Sequence, residues 1–236
     1  MNAPQPLLRV HHLIKQFDGP SGAAPLTILD DVSLEVERGE SVAIVGPSGS
    51  GKSTLLNLVG TLDAPTGGEV WLDDQRIDSL KAVESAALRR DRLGFIFQMH
   101  HLMPQCTAIE NVLIPTLARG RAPRGGEVFA RAADLLRRVG LAKRVHHMPG
   151  QLSGGECQRI AVVRALINEP SLILADEPTG SLDAASAEEV WSILSNLGRE
   201  QGVAMIIVTH APALAARMDR TLELRAGRLH PREART

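Results

Sequence analysis

Residues 42–54, VAIVGPSGSGKST, have the residue types and spacing of a phosphate-binding loop. A short apolar run ends at Gly46 and a helix-favouring segment begins at Lys52, so the glycines lie between a predicted strand and a predicted helix. Glycines let the backbone curl around phosphates with several N–H groups pointing inward, and the helix start adds a partial positive charge. Lys52 can reach the β- and γ-phosphates, and the Ser53 hydroxyl suits a Mg²⁺ ligand. This stretch predicts a nucleotide-binding protein.

Polar residues end or follow three further apolar runs, namely Gln98, Asp176 with Glu177, and His210. Ligands of open α/β sheets bind at the carboxyl ends of strands, so we expect these side chains to gather there. Asp176 suits the Mg²⁺ shell together with Ser53, and Glu177 is placed to polarise a water against the γ-phosphate. Gln98 is a candidate water or Mg²⁺ contact. The position of His210 after a buried strand favours a functional role over a structural one.

A second candidate anion site lies in the segment LSGGE, which opens a predicted helix that runs to about Ile167. Ser153 suits the N-cap, and Glu156 three residues later completes a capping box. One interpretation is simply a well-capped helix. The other is that Ser153, Gly154 and Gly155 leave backbone N–H groups bare at a positive helix end, where an anion binds.

Phe17 is a candidate platform for the adenine base in a chain with 3% aromatic residues and no tyrosine. Residues 7–13 and 29–36 alternate as strands do, and residues 18–25 between them are rich in turn formers. An exposed ring before this turn would stack on a base, whereas a partly buried ring would belong to the core. Composition alone leaves these two alternatives equal.

The sequence changes character after about residue 110. Residues 127–139 place apolar side chains at helical spacing, and residues 119–126 before them are rich in Gly, Pro and Arg and predict a loop. We predict a single α/β domain with a core of about 1–98 and 168–236 and a helical insert of about 99–167. We expect the core to have a P-loop NTPase fold, with a mixed sheet, flanking helices and an N-terminal antiparallel β part.

The composition argues against several classes of function. The 236 residues carry a net charge of −1, so the chain lacks the basic character of a general nucleic-acid binder. Two cysteines, Cys106 and Cys157, imply neither a disulfide scaffold nor a thiolate metal site. No apolar run approaches 18 residues and the start does not read as a signal peptide, so we expect a cytoplasmic location.

Together these motifs resemble the ATPase subunit of an ABC transporter over nearly the whole chain. GPSGSGKST resembles the family's Walker A motif and LILADE its Walker B motif, while LSGGECQR resembles the ABC signature, which other P-loop families lack. The resemblance implies nucleotide contacts along Walker A at Gly46, Pro47, Ser48, Gly49, Ser50, Gly51, Lys52, Ser53 and Thr54. Phe17 matches the adenine-stacking aromatic, Gln98 the Q-loop, residues 181–183 the D-loop with Asp183 as a nucleotide contact, and His210 the switch histidine.

The resemblance also implies a mechanism and partners. ATP and Mg²⁺ would bind between Walker A of one protomer and Ser153, Gly154 and Gly155 of the other, in a head-to-tail homodimer. The implied catalytic residues are Lys52, Gln98, Glu177 and His210, and the implied metal ligands are Ser53, Gln98 and Asp176. Glu177 would serve as general base or water positioner, and His210 would hold the γ-phosphate and the attacking water. The partners implied are integral membrane permease subunits and no nucleic acid, which places the chain peripherally on the cytoplasmic face of the inner membrane.

A narrower resemblance lies in residues 94–115, GFIFQMHHLMPQCTAIENVLIP. This segment is similar to ATPases that serve few-helix permeases with large extracytoplasmic domains, most of all to the lipoprotein-releasing type. An efflux type and a regulatory cell-division type that transports nothing remain alternatives. We interpret His100 and His101 as part of a surface that contacts the permease, and not as metal ligands. Cys157 departs from the usual polar or basic residue of the signature helix and predicts sensitivity to thiol reagents.

Overall fold

The apolar runs of the sequence form strands in the computed structural model, which describes residues 5–19, 24–117 and 126–232. In chain order the strands are β1 (Leu8–Phe17), β2 (Leu26–Val36), β3 (Ser41–Val45), β4 (Gly67–Leu72), β5 (Gln75–Arg76), β6 (Leu93–Phe97), β7 (Leu172–Asp176), β8 (Ala204–Val208), β9 (Arg220–Arg225) and β10 (Arg228–Pro231). Residues 119–125 of the predicted loop and 20–23 of the predicted turn lie outside the described residues.

The periodic segments form helices. In chain order these are α1 (Lys52–Val59), α2 (Ala82–Arg92), α3 (Ala108–Leu117), α4 (Gly126–Arg138), α5 (Gly154–Leu166), α6 (Ala184–Gln201) and α7 (Pro212–Ala215), with a 3₁₀ turn at Pro149–Gln151. Within the described ranges, we find no helix that combines the length and the apolar character needed to cross a bilayer.

The chain divides into two compact units, a first unit of Met1–Ala86 with Ala204–Thr236 and a second unit of Ala87–Val203. The first unit begins with an antiparallel sheet in the order β2-β1-β4-β5. Its strands β1 and β2 are longer than the alternation of residues 7–13 and 29–36 predicts. Left-handed residues at His12 (φ 49°) and Asp31 (φ 65°) accompany shifts of register between the two strands, and each shift interrupts the period of two.

Parallel strands carry the candidate site of the first unit. Strand β3 pairs in parallel with β8 on one side and β9 on the other, and β10 pairs antiparallel with β9. Every residue of β3 and β8 is buried, as expected for continuous apolar strands of a parallel sheet. The chain leaves β3 for the glycine loop and α1, so that loop lies at the carboxyl edge of these strands.

In the second unit β6 and β7 pair in parallel, with Phe97 opposite Asp176. Helix α4 buries Ala132, Leu135 and Leu136, as the helical spacing of 127–139 predicts. The α/β class, with a mixed set of strands, flanking helices and an N-terminal antiparallel sheet, is confirmed. The division into a core and a helical insert at 99–167 stays a prediction.

Candidate functional site

The glycine loop between β3 and α1 has a backbone that larger residues would not tolerate. Gly46 has φ 152°, and a Cβ there would lie 2.3 Å from the Leu224 carbonyl oxygen. Gly51 has φ 99°, and its Cβ would lie 2.8 Å from Cγ2 of Ile28. Gly51 is also the N-cap of α1, whose first turn contains no acidic residue. The loop therefore presents backbone N–H groups at a positive helix end, as a phosphate site requires.

Lys52 places its ammonium group on this loop. Its Nζ donates to the carbonyl oxygens of Gly46 at 3.0 Å and Pro47 at 2.9 Å. The Ser50 hydroxyl in the same loop is buried and has no hydrogen-bond partner among the described residues. A buried hydroxyl without a partner is costly, and a phosphate oxygen would satisfy it. The loop thus offers a cation and an unused hydroxyl to an anion.

The neighbouring strand brings His210 to the same edge of the first unit. Thr209 donates its backbone N–H to the Ile44 carbonyl at 3.2 Å, so the pairing of β8 with β3 extends to the residue before His210. The Thr209 hydroxyl accepts from the Ala211 N–H at 3.0 Å, which fixes the turn that follows. His210 itself is exposed. It lies at the strand end where the sequence predicts it.

Phe17 ends β1 with 45% of the residue exposed, so the ring is not fully buried, and both alternatives for it stay open. Exposure leaves ring area for a base, as the adenine-platform interpretation needs. Its contact with a base stays a prediction.

In the second unit, the register of β6 with β7 brings Gln98 and Glu177 to one edge, because each follows a member of the pair Phe97 and Asp176. Glu177 has φ 47°, an uncommon conformation for a residue with a Cβ. Such strained residues concentrate at functional sites. Asp176 and Glu177 are partly exposed and Gln98 is exposed, so a ligand can reach all three.

The Q-loop and D-loop residues contact each other within this unit. Ser181 donates its hydroxyl proton to the Gln98 carbonyl at 3.1 Å. Gly180 lies so close that a Cβ there would be 3.2 Å from Gln98 Nε2. Asp183 serves as N-cap of α6, and its carboxylate accepts from Ala185 N and Ser186 N. The Ser186 hydroxyl also donates to it and is the main cause that lowers the pKa of Asp183. Helix capping accounts for the hydrogen bonds and the lowered pKa of this carboxylate. Its contact with a nucleotide stays a prediction.

The capping box of α5 is confirmed, but the expectation of a bare backbone N–H at Ser153 is wrong. Ser153 Oγ accepts from Glu156 N at 3.2 Å, and Glu156 accepts from Ser153 N at 2.8 Å. The Ser153 N–H is therefore not bare, because the box that starts the helix uses it. The same bond is the main cause that lowers the pKa of Glu156, whose charge lies at the helix start. Gly154 remains exposed at the first turn and Gly155 is buried.

Two polar side chains of α5, one buried and one partly buried, escaped the sequence analysis. Gln158, 2% exposed, donates from Nε2 to the Phe97 carbonyl at 3.0 Å, directly before Gln98. Arg164 donates to the carbonyls of His100 and His101 at 2.7 Å each, and its burial lowers the pKa of its guanidinium. The available signal was a charged residue inside the apolar run IAVVRAL. These bonds join the signature helix to the segment that follows β6.

The segment with His100 and His101 is further ordered by Asn111, which is fully buried. Asn111 Oδ1 accepts from Met103 N at 2.7 Å, and Nδ2 donates to the carbonyls of Met103, Cys106 and Thr107. Burial lowers the pKa of His100, with Arg164 as a second cause. Among the described residues no three His, Cys, Asp or Glu side chains form a metal cluster. The role of this surface in permease contact stays a prediction.

Cys157 is buried at 3% exposure, with Sγ 3.7 Å from the Pro149 carbonyl, which argues against the expected sensitivity to thiol reagents. Burial, with the nearby Glu156 as a lesser cause, raises the pKa of the thiol, and the thiolate is the reactive form.

We expect Cys157 in a Cys106→Ser variant to react with an aromatic disulfide reagent about 100-fold more slowly than a free thiol at neutral pH. The wild-type chain should show one fast thiol, because Cys106 is partly exposed. Absorbance of the released thiolate gives both rates, and guanidinium-unfolded protein gives the total of reactive thiols. A fast reaction of Cys157 in the folded variant would contradict its burial.

Comparisons with known proteins agree on one family. Residues 29–180 match the family model described as ABC transporter. The "Lipoprotein-releasing system ATP-binding protein LolD" of Shewanella frigidimarina is 49% identical over 223 residues, covering 94% of this chain and 92% of the relative. The protein of the same name from Bordetella avium is 50% identical over 227 residues, covering 96% and 97%.

The solved structures that match this chain are also ABC cassettes. The ATP-binding cassette MJ0796, in a dimeric post-hydrolysis state bound to ADP and Pi, is 38% identical with a TM-score of 0.86, and the match covers 96% of this chain and 99% of that one. A second dimeric structure of that bacterial ABC transporter cassette matches with the same identity and TM-score.

Proposed function

This chain belongs to the ABC transporter family and is an ATP-hydrolysing subunit of it, and from that premise we propose that it powers a membrane permease that releases lipoproteins. The observation that carries the substrate class is the likeness, over nearly the whole length, to relatives named as lipoprotein-releasing ATP-binding proteins. An efflux system and a regulatory system without transport are the alternatives. The substrate would contact the permease, so this subunit supplies only the energy.

We assign phosphate binding to residues 46–54. The α1 N-terminus and the loop amides would bind the phosphate oxygens, and the Ser50 hydroxyl would gain the partner that it lacks. Lys52 would exchange its two loop carbonyls for the β- and γ-phosphates, a stronger interaction because both partners are charged. Phe17 would stack on the adenine. These contacts bind ATP before any chemistry occurs.

Hydrolysis needs a base, a holder for the γ-phosphate and charge neutralisation. Glu177 would accept a proton from the water that attacks the γ-phosphorus, and His210 would hold the γ-phosphate and that water. The Ser53 hydroxyl, the Gln98 amide and the Asp176 carboxylate offer oxygen ligands, the kind that Mg²⁺ prefers, so the donor set fits this ion. Bound Mg²⁺ would neutralise charge on the phosphates.

We further propose a head-to-tail homodimer in which each ATP contacts residues 46–54 of one chain and Ser153, Gly154 and Gly155 of the other. The dimeric relatives support it. Since the Ser153 N–H is used in the capping box, we expect the Ser153 hydroxyl and the Gly154 and Gly155 amides to make the contact. The helix that carries them is braced by an ion pair between Arg159 and Glu189 of α6.

Within this proposal the chain is peripheral on the cytoplasmic face of the inner membrane, with a permease and not a nucleic acid as its partner. Gln98 would couple the binding of the γ-phosphate to the position of the segment that contacts the permease. The bonds from Gln158 to Phe97 and from Arg164 to His100 and His101 support such a link, because they tie this segment to the signature helix. ATP then favours the closed dimer, and hydrolysis removes that bias.

The test is affinity purification of the Glu177→Gln chain with ATP and Mg²⁺ from detergent-solubilised membranes, with co-purifying chains identified by mass. A few-helix permease with a large extracytoplasmic domain, carrying lipoprotein, is the expected result. The same type of permease with an outer-membrane channel or adaptor would indicate efflux. Recovery of only soluble proteins or nucleic acid would contradict a transporter role.

A further inference from the structure

A buried lysine lies against the ring of Phe17. Lys15 Nζ is 4.9 Å from the centroid of that ring, inside the range of a cation–π interaction. Lys15 is only 9% exposed, although it belongs to the residue type that is least often buried. A cation that is largely removed from water interacts with a ring more strongly than a solvated one. This contact is therefore a specific feature of the end of β1.

The loop after α1 fixes the ammonium group in place. Lys15 Nζ donates to Asp63 Oδ1 at 2.9 Å and to the Ala64 carbonyl at 2.8 Å. Asp63 Oδ1 also accepts from Ala64 N at 2.7 Å, so the carboxylate is held as well. The bond from Lys15 is the main cause that lowers the pKa of Asp63, because it favours the charged carboxylate. Lys15 thus holds its position without any nucleotide.

Phe17 and the residue opposite it on β2 are both exposed. Phe17 is 45% exposed, and Leu26, its partner across β2, is 61% exposed. A cation against one face holds the ring and draws π-electron density toward itself. The other face then becomes a better partner for an electron-rich base.

We propose that Lys15 is a positioning residue for nucleobase binding, which holds the Phe17 ring in the orientation that stacks on adenine. This inference rests on the proposed function, in which Phe17 is the adenine platform. Asp63 acts through Lys15 by fixing the ammonium group. Affinity for the base then depends on Lys15, whereas affinity for the phosphates depends on the glycine loop. A lysine with a merely structural role would affect both parts of the ligand alike.

The test compares ATP with inorganic triphosphate, which has the phosphates and lacks the base, by calorimetric titration of the full chain. Lys15→Met should weaken ATP binding about tenfold and leave triphosphate binding unchanged, because it removes the cation and keeps the chain length. Lys15→Arg should restore most of the ATP affinity. Asp63→Asn, a milder change in case Lys15→Met fails to fold, should weaken ATP binding in the same selective way.

A double-mutant comparison tests whether Lys15 affects ATP affinity through the Phe17 ring. In a Phe17→Ala background, Lys15→Met should cause no further loss of ATP affinity. Arg9→Met is the matched control, because Arg9 also lies on β1 and its guanidinium is 5.6 Å from the ring centroid of Trp71 on β4. It removes a cation–π contact away from Phe17 and should leave ATP affinity unchanged.

Equal losses for ATP and triphosphate in Lys15→Met, a full further loss in the Phe17→Ala background, or a selective loss in Arg9→Met would each overturn the positioning role. Failure of the proposed function looks different. If Phe17→Ala leaves ATP affinity unchanged, the adenine platform itself is wrong. If the wild-type chain binds triphosphate and ATP equally, no base contact exists.

Discussion

Replacing Lys52 by alanine should lower ATP turnover by at least about 100-fold, because in the proposed mechanism its charge would stabilise the phosphates during transfer. In the structure the ammonium lies on the Gly46 and Pro47 carbonyls, so its removal deletes the cation and leaves the loop glycines in place. Phosphate release by the purified chain at saturating ATP and Mg²⁺ measures the effect. Lys143→Ala, at an exposed lysine, is the control and should retain wild-type turnover. Near-normal turnover by Lys52→Ala would refute the phosphate-loop assignment.

Glu177→Gln should reduce hydrolysis by about 10²–10⁴-fold while ATP binding persists, because the amide keeps the size of the side chain and cannot accept the proton. With ATP and Mg²⁺ the variant should elute from a sizing column as a dimer, since the closed state forms and is not released by hydrolysis.

Glu169→Gln is a matched control for this variant. Glu169 is the other glutamate with a left-handed backbone in the described residues (φ 55°), and it pairs with Arg131 on the surface. It should hydrolyse ATP normally and show no trapped dimer. If Glu177→Gln stays monomeric with ATP and Mg²⁺, either the base assignment or the head-to-tail dimer is wrong.

The sequence predicts the site-bearing strands well because continuous apolar runs are typical of buried parallel strands. The apolar run before Gln98 forms β6, and the run that ends in Asp176 forms β7. The polar residues that follow them lie at strand ends, as period and composition indicate. The capping box of Ser153 and Glu156 was equally visible, since it depends on residues three positions apart.

Other features depend on contacts that no local pattern contains. The bulges at His12 and Asp31 interrupt the alternation of apolar residues, because a left-handed residue changes the face to which later side chains point. The alternation therefore predicts β1 and β2 shorter than they are. The bond from Lys15 to Asp63 joins residues 48 positions apart, and the burial of Cys157 depends on packing around α5. Helix α6 ends at Gln201, where Gly202 in the left-handed region (φ 63°) serves as its C-cap.

If turnover requires two chains, each of which completes the site of the other, Ser153→Arg should block it. An arginine at the exposed start of α5 adds bulk where the partner's ATP would bind and leaves residues 46–54 of its own chain intact. Ser192→Arg, at an exposed serine of α6, is the matched control. We expect the Ser153→Arg monomer to bind ATP with wild-type affinity, while its turnover falls to that of Glu177→Gln. Wild-type turnover by this variant, or an equal loss of ATP affinity in the monomer, would contradict it.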